Sequence, residues 1–234
     1  MRNDMSNSRR LLVGTTVVIS IFFIAALIAE IIALTLDFAS PDLTADPIII
    51  LLSVAAILIF RNTVNYRIAL PKPGAAFWAF FFGVLSTIIG NLPITLLFPD
   101  PEMDTQIEEL FLAQGPLQLL LTAVLLGSIT EELLFRGFFM NIISPLKVRY
   151  LSIFNTRISA PVIISAFLFS LSHLGVLAMG AGIHLAANLL VGAFATGLVA
   201  GYFQEKHDNN AYAIIAHMSA NLPPFLGSLV LQAG

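Results

Sequence analysis

The chain has 234 residues, of which 58% are hydrophobic and 11% charged, and its mean hydropathy is +0.91. Soluble domains carry about 25% charged residues, so this composition cannot cover a water-facing surface. Eleven Lys and Arg against fourteen Asp and Glu leave a net charge of −3 and no basic reservoir for nucleic acid, while the lack of Cys excludes disulfides, thiolate metal sites and a cysteine nucleophile. A helix crossing hydrocarbon needs about 20 mostly apolar residues, and seven stretches meet or approach that length. The first, 11–36, is interrupted only by Glu30 and is too long for the apolar core of a signal peptide, so it reads as a retained span. The second, 43–60, is the weakest, because Asp46 and Pro47 shorten its clean run. The others are 74–98, 116–143, 160–179, 182–203 and 211–232.

Charge orders these spans. Arg2, Arg9 and Arg10 precede the first, and Arg61, Arg67 and Lys72 follow the second. Lys147, Arg149 and Arg157 follow the fourth, and Lys206 follows the sixth. The segments 37–47, 99–115 and 177–181 contain no Lys or Arg, and the first two are acidic. Basic loops face the cytoplasm, which predicts a cytoplasmic N-terminus and an external C-terminus. The expected fold is all-α: a polytopic transmembrane bundle of about seven membrane-spanning helices, integral to the cell membrane, with the lipid bilayer as its first partner. The acidic loop reads as a solvated charged turn and could include a short surface helix over 104–113. Residues 1–115 carry three spans without motifs, 116–234 carry the motifs, and the two are expected to pack as one domain.

Seven ionisable residues fall within the spans: Glu30, Glu131, Glu132, Arg136, His173, His184 and His217. Each costs roughly 2.5–3.5 kcal/mol at the bilayer centre, so each needs a reason. Glu132 and Arg136 stand four apart on one helix face and can pair, whereas Glu131 points elsewhere and has no partner in its own span. Phe169 and His173 repeat the four-residue step, as do His217 and Asn221, whose donors could hold an oxyanion. A carboxylate and an imidazole converging on one water would form a general base. Pro223 and Pro224 break the last span just after Asn221, which membranes tolerate where a helix lines a polar cavity. His184 and Asn188 show the same spacing and compete for the third role. Gly197 and Gly201 suit close helix packing, and Glu30 reads as a pore-facing or interfacial residue.

Together Glu131-Glu132…Arg136, Phe169…His173 and His217…Asn221 resemble the motifs of the CAAX protease and bacteriocin-processing family of intramembrane proteases. The resemblance covers about residues 116–232. It implies that Glu131 and His173 activate water, that His217 and Asn221 stabilise the oxyanion, and that Glu132, Arg136 and Phe169 support the site. The spacing from the second motif to the third favours His217 and Asn221 over His184 and Asn188. No cofactor or metal is implied, although the family has been described as zinc-dependent. The chain lacks His-Glu-x-x-His, and Arg136 would place a cation beside a metal. The implied partner is a peptide or protein substrate: a prenylated C-terminal tripeptide, a leader peptide or a membrane-anchored regulator. The competing readings are a zinc metalloprotease, a transporter relaying protons through Glu131, His173 and His217, and a non-enzymatic immunity protein.

Overall fold

The computed structural model describes residues 5–36, 41–99, 102, 105, 106, 109, 114–153 and 156–233. The stretch 104–113, read as a solvated charged turn that could include a short surface helix, lies mostly outside those residues. Local chemistry marks where the helices begin. Helix α1 (Asn7–Thr35) starts where the Ser6 hydroxyl accepts from the Arg9 amide, an N-cap that satisfies one of four orphan donors. Helix α3 (Pro73–Leu97) and helix α4 (Pro116–Met140) each open on a proline, whose fixed φ suits a first turn and whose missing N–H is not needed there. Helix α2 (Pro41–Ile59) is the short span foreseen, with Pro47 inside it and a clean apolar run of only Thr44–Ile59.

Helix α5 (Ala160–Ser172) is followed by one turn, α6 (Gly175–Ala178), and together they make a crossing. Helix α7 (Ile183–His207) ends on Asp208 in the left-handed region, φ 47°. The Asn209 side chain then caps α8 (Asn210–Ala220), and α9 (Leu222–Ala233) completes the last crossing. Six of these crossings are long and apolar enough to span a membrane, and α2 makes an undersized seventh. The bundle is all-α and polytopic. Among the described residues the one departure is a hairpin, β1 (Tyr150–Ile153) paired antiparallel with β2 (Thr156–Ser159) in the register Tyr150↔Ser159.

Helix α4 is the axis of the bundle. Phe135, Phe138, Phe139, Ile142 and Ile143 are fully buried and pack on Val18, Ile21 and Ala25 of α1 and on Ile49, Ala56 and Ile57 of α2. On its other side, α3, α7 and α8 form a second packed group around Ala79, Ala200, Phe203 and Ala216. Small residues set the separations: a Cβ at Gly83 of α3 would collide with the Ser219 hydroxyl and the Ala216 carbonyl of α8. In hydrocarbon such close approach, rather than a hydrophobic drive, is what holds helices together. Large apolar side chains such as Phe23, Leu34, Phe77 and Leu96 point outward as a lipid-facing belt. Glu30 is exposed, one turn before the end of α1.

Candidate active site

Helix α4 departs from the regular helix twice. Residues Leu120–Leu126 and Leu133–Met140 wind as π-helix, on either side of a short α-helical stretch, Gly127–Glu132. A π turn removes carbonyls from the i→i+4 ladder and is common at functional sites. Here neighbours take up the displaced groups. The Arg136 carbonyl accepts from Asn141 Nδ2 (2.9 Å) and from Gln204 Nε2 of α7 (2.9 Å), and the Glu132 carbonyl accepts from Asn210 Nδ2 of α8 (3.3 Å). These three amides anchor the segment that carries both glutamates. None was singled out from the sequence, because their role depends on a local winding that spacing does not reveal.

Glu132 and Arg136 form the buried pair expected from their spacing. Arg136 Nη1 donates to Glu132 Oε1 at 2.9 Å, and both side chains are fully buried. The same oxygen accepts from His217 Nδ1 of α8 at 2.8 Å. The Arg136 guanidinium also lies 4.6 Å over the Phe169 ring of α5, a cation–π contact that strengthens out of water. That ring stands edge-on to His173 at 4.9 Å and to His217 at 5.3 Å. Phe169 is therefore the aromatic hub between the buried ion pair and both imidazoles. The supporting trio is one connected unit.

Glu131, next in the chain to Glu132, lines a cavity of about 500 Å³. His173, His217 and Asn221 line the same cavity, together with Leu119, Thr122, Gly127 and Phe225. Glu131 Oε2 lies 3.5 Å from His217 Nε2, and its side chain is 26% exposed. His173 sits where α5 ends, so its own amide bonds to the Ser170 carbonyl. The Phe169 carbonyl is thereby released and lies 3.0 Å from His173 Nδ1. A carbonyl only accepts, so Nδ1 is the donor here, and in that tautomer the lone pair lies on Nε2.

Asn221 occupies the break between α8 and α9, as the two prolines after it suggested. Its Nδ2 donates to the Ala123 carbonyl at 2.8 Å and to the Ser128 hydroxyl at 3.2 Å. Both amide protons are thus engaged with α4, a coupling the sequence did not signal. His184 and Asn188 do not line the cavity. Gly197 packs where expected: a Cβ there would approach Arg136 Nη2 at 2.9 Å and Ala166 at 3.0 Å.

The donor set does not match a zinc site. Glu132 Oε1 is shared by two cationic or proton-bearing partners, and Arg136 adds a positive charge. Among the described residues no three His, Cys, Asp or Glu side chains converge as metal ligands. Comparison with known proteins adds the family. No curated protein and no solved structure gives a significant match to the chain. Residues 113–223 match the family model described as type II CAAX prenyl endopeptidase Rce1-like, a stretch that holds all three motifs and every residue placed around the cavity except Ala45, Asp46, Pro224 and Phe225. Over its motif-bearing stretch this integral membrane bundle is similar to the Rce1-like family of type II CAAX prenyl endopeptidases.

Proposed function

We propose that the protein hydrolyses peptide bonds inside the membrane with water activated by Glu131 and His173, without a covalent intermediate. The observation that carries this reading is the shared cavity, where a partly exposed carboxylate, two imidazoles and an amide meet over a buried ion pair. Water between Glu131 and His173 Nε2 loses a proton as its oxygen bonds to the scissile carbonyl carbon. The carbonyl oxygen becomes an oxyanion. His217 donates Nδ1–H to Glu132, so a proton on Nε2 as well makes the ring an imidazolium that presents a charged donor to that oxyanion. Asn221 joins it by exchanging its longer bond, the one to Ser128. The C–N bond then breaks, and the proton held by Glu131 or His173 passes to the departing amine.

Glu132 and Arg136 position His217 and do not meet the substrate. The family description makes a prenylated peptide the first probe to try. Protein reconstituted in liposomes should cleave a quenched fluorescent peptide, and Glu131→Gln and Glu131→Ala should each lower kcat/KM by about 10²–10⁴, the usual contribution of a general base. A zinc chelator should leave the rate unchanged. Full activity in both variants would overturn the hydrolase reading, and chelator loss rescued by zinc would replace it with metal-dependent hydrolysis.

A further inference from the structure

We infer that the catalytic cavity opens on the extracytoplasmic face of the membrane and takes an internal stretch of an exported or membrane-anchored peptide, not a free C-terminal tripeptide offered from the cytoplasm. The substrate half of this inference rests on the protease reading above; the orientation half does not.

The structure sorts charge by end of the bundle. Arg10 Nη1 at the start of α1 donates to the Ile142 carbonyl just past the end of α4. The α2–α3 connection bonds to Asn209, between α7 and α8, through Ala69, and to Tyr212 in the first turn of α8 through Lys72. Lys147 reaches Glu205, and Arg157 lies over Tyr150 in the hairpin. Every described Lys and Arg except Arg136 therefore belongs to one end. That end also holds a recess of about 360 Å³ lined by Arg67, Lys72, Lys206 and His207, with no carboxylate in its lining although exposed Asp208 is next in sequence. It continues through Lys206 and His207 into an apolar cleft of about 740 Å³ between α3 and α7. A cationic recess beside an apolar cleft suits an anionic headgroup and its acyl chain, the chemistry of the cytoplasmic leaflet.

The cavity mouth is at the other end. Its rim is built from the start of α2 (Asp46), the approach to α4 (Gln114), the turn after α6 (Met179) and the start of α9 (Pro224). In sequence, the stretches that contain or precede these rim residues, 37–47 and 99–115, hold acids and no Lys or Arg. Basic ends stay in the cytoplasm, so the mouth faces outward. Charge also speaks against a C-terminal substrate. Among the described residues lining the cavity none is Lys or Arg, its carboxyl side chains are Glu131 and Asp46, and the imidazolium of the proposed mechanism, His217, is already engaged by Glu132 and the oxyanion. Arg136 is fully buried behind Glu132. A free carboxylate three residues from the scissile bond would meet carboxyl groups and, among the described lining residues, no Lys or Arg to receive it, at a cost that low dielectric magnifies. An internal peptide segment brings no such charge.

Because the natural chain has no Cys, single-cysteine variants read orientation directly. Met179→Cys at the cavity rim (78% exposed) and Glu102→Cys in the acidic loop report one end. Val148→Cys (82% exposed) and Leu70→Cys (96% exposed) report the other. In intact spheroplasts a membrane-impermeant maleimide should label the first pair at least about tenfold faster than the second, and inverted vesicles should reverse the order. The opposite pattern would overturn the inference while leaving the liposome activity test untouched. Peptides released by cells with the intact protein, compared with Glu131→Gln, should then map to exported segments cut away from their C-termini. Loss of cytosolic C-terminal tripeptides in the variant would equally overturn it. Expected labelling with no Glu131-dependent cleavage would retain the orientation and remove the substrate.

Discussion

Arg136 is a buried cation in the middle of an apolar bundle, and its neighbours compensate it only in part. It is fully buried, pairs with Glu132 and lies over Phe169. Its Nε and Nη2 atoms, and Glu132 Oε2, have no hydrogen-bond partner among the described residues. Removing one partner of a buried pair strands the other, so Arg136→Gln should destabilise the protein by about 3–5 kcal/mol. Glu132→Gln combined with Arg136→Met should be less harmful to stability than the sum of the single changes, a coupling that thermal unfolding of all four forms in detergent measures. Phe169→Ala removes the hub and should cost about 3–5 kcal/mol. The same melts check it. The pairing of Glu132 with Arg136 and of Phe169 with His173 was legible, since a four-residue step fixes a shared helix face. The hydrogen bond from His173 to the Phe169 carbonyl was not, because that carbonyl is free only where the helix stops.

At the scale of elements, the cavity is bounded by irregular backbone: the π-wound α4, the end of α5 at His173 and the break at Asn221. Each interruption exposes polar groups that water or substrate can use, which a continuous helix in hydrocarbon would hide. Gly127 is part of this device, since its amide bonds to the Thr122 carbonyl and a Cβ there would lie 2.8 Å from that oxygen. Gly127→Ala should therefore disturb the π turn and lower peptidase activity more than it lowers helix content, a contrast that assay and circular dichroism read together. Gly197→Ala should push against Arg136 and cost about 1–3 kcal/mol, as overpacking does. The spans themselves were plain from apolar run lengths, and their ends shifted by only a few residues. The proline break was also visible. The π segments and the ten-residue hairpin were not, because their stretches read equally well as ordinary helix and loop.

For the whole molecule, the asymmetry of charge and the asymmetry of the cavity are two aspects of one arrangement. Cations gather where α1 begins and α4 ends, and the cavity opens where α4 begins. The first was countable in the sequence, residue by residue. The second needed coordinates, since nothing in the spacing of Glu131, His173 and His217 says from which end of the bundle they are reached. The central claim is that Glu131 directs water onto a peptide carbonyl, and mass spectrometry in H₂¹⁸O reads it most directly. Membranes bearing the intact protein should yield peptides whose new C-termini carry ¹⁸O, and Glu131→Gln membranes should lack that set. Identical labelled peptides from both would contradict the account.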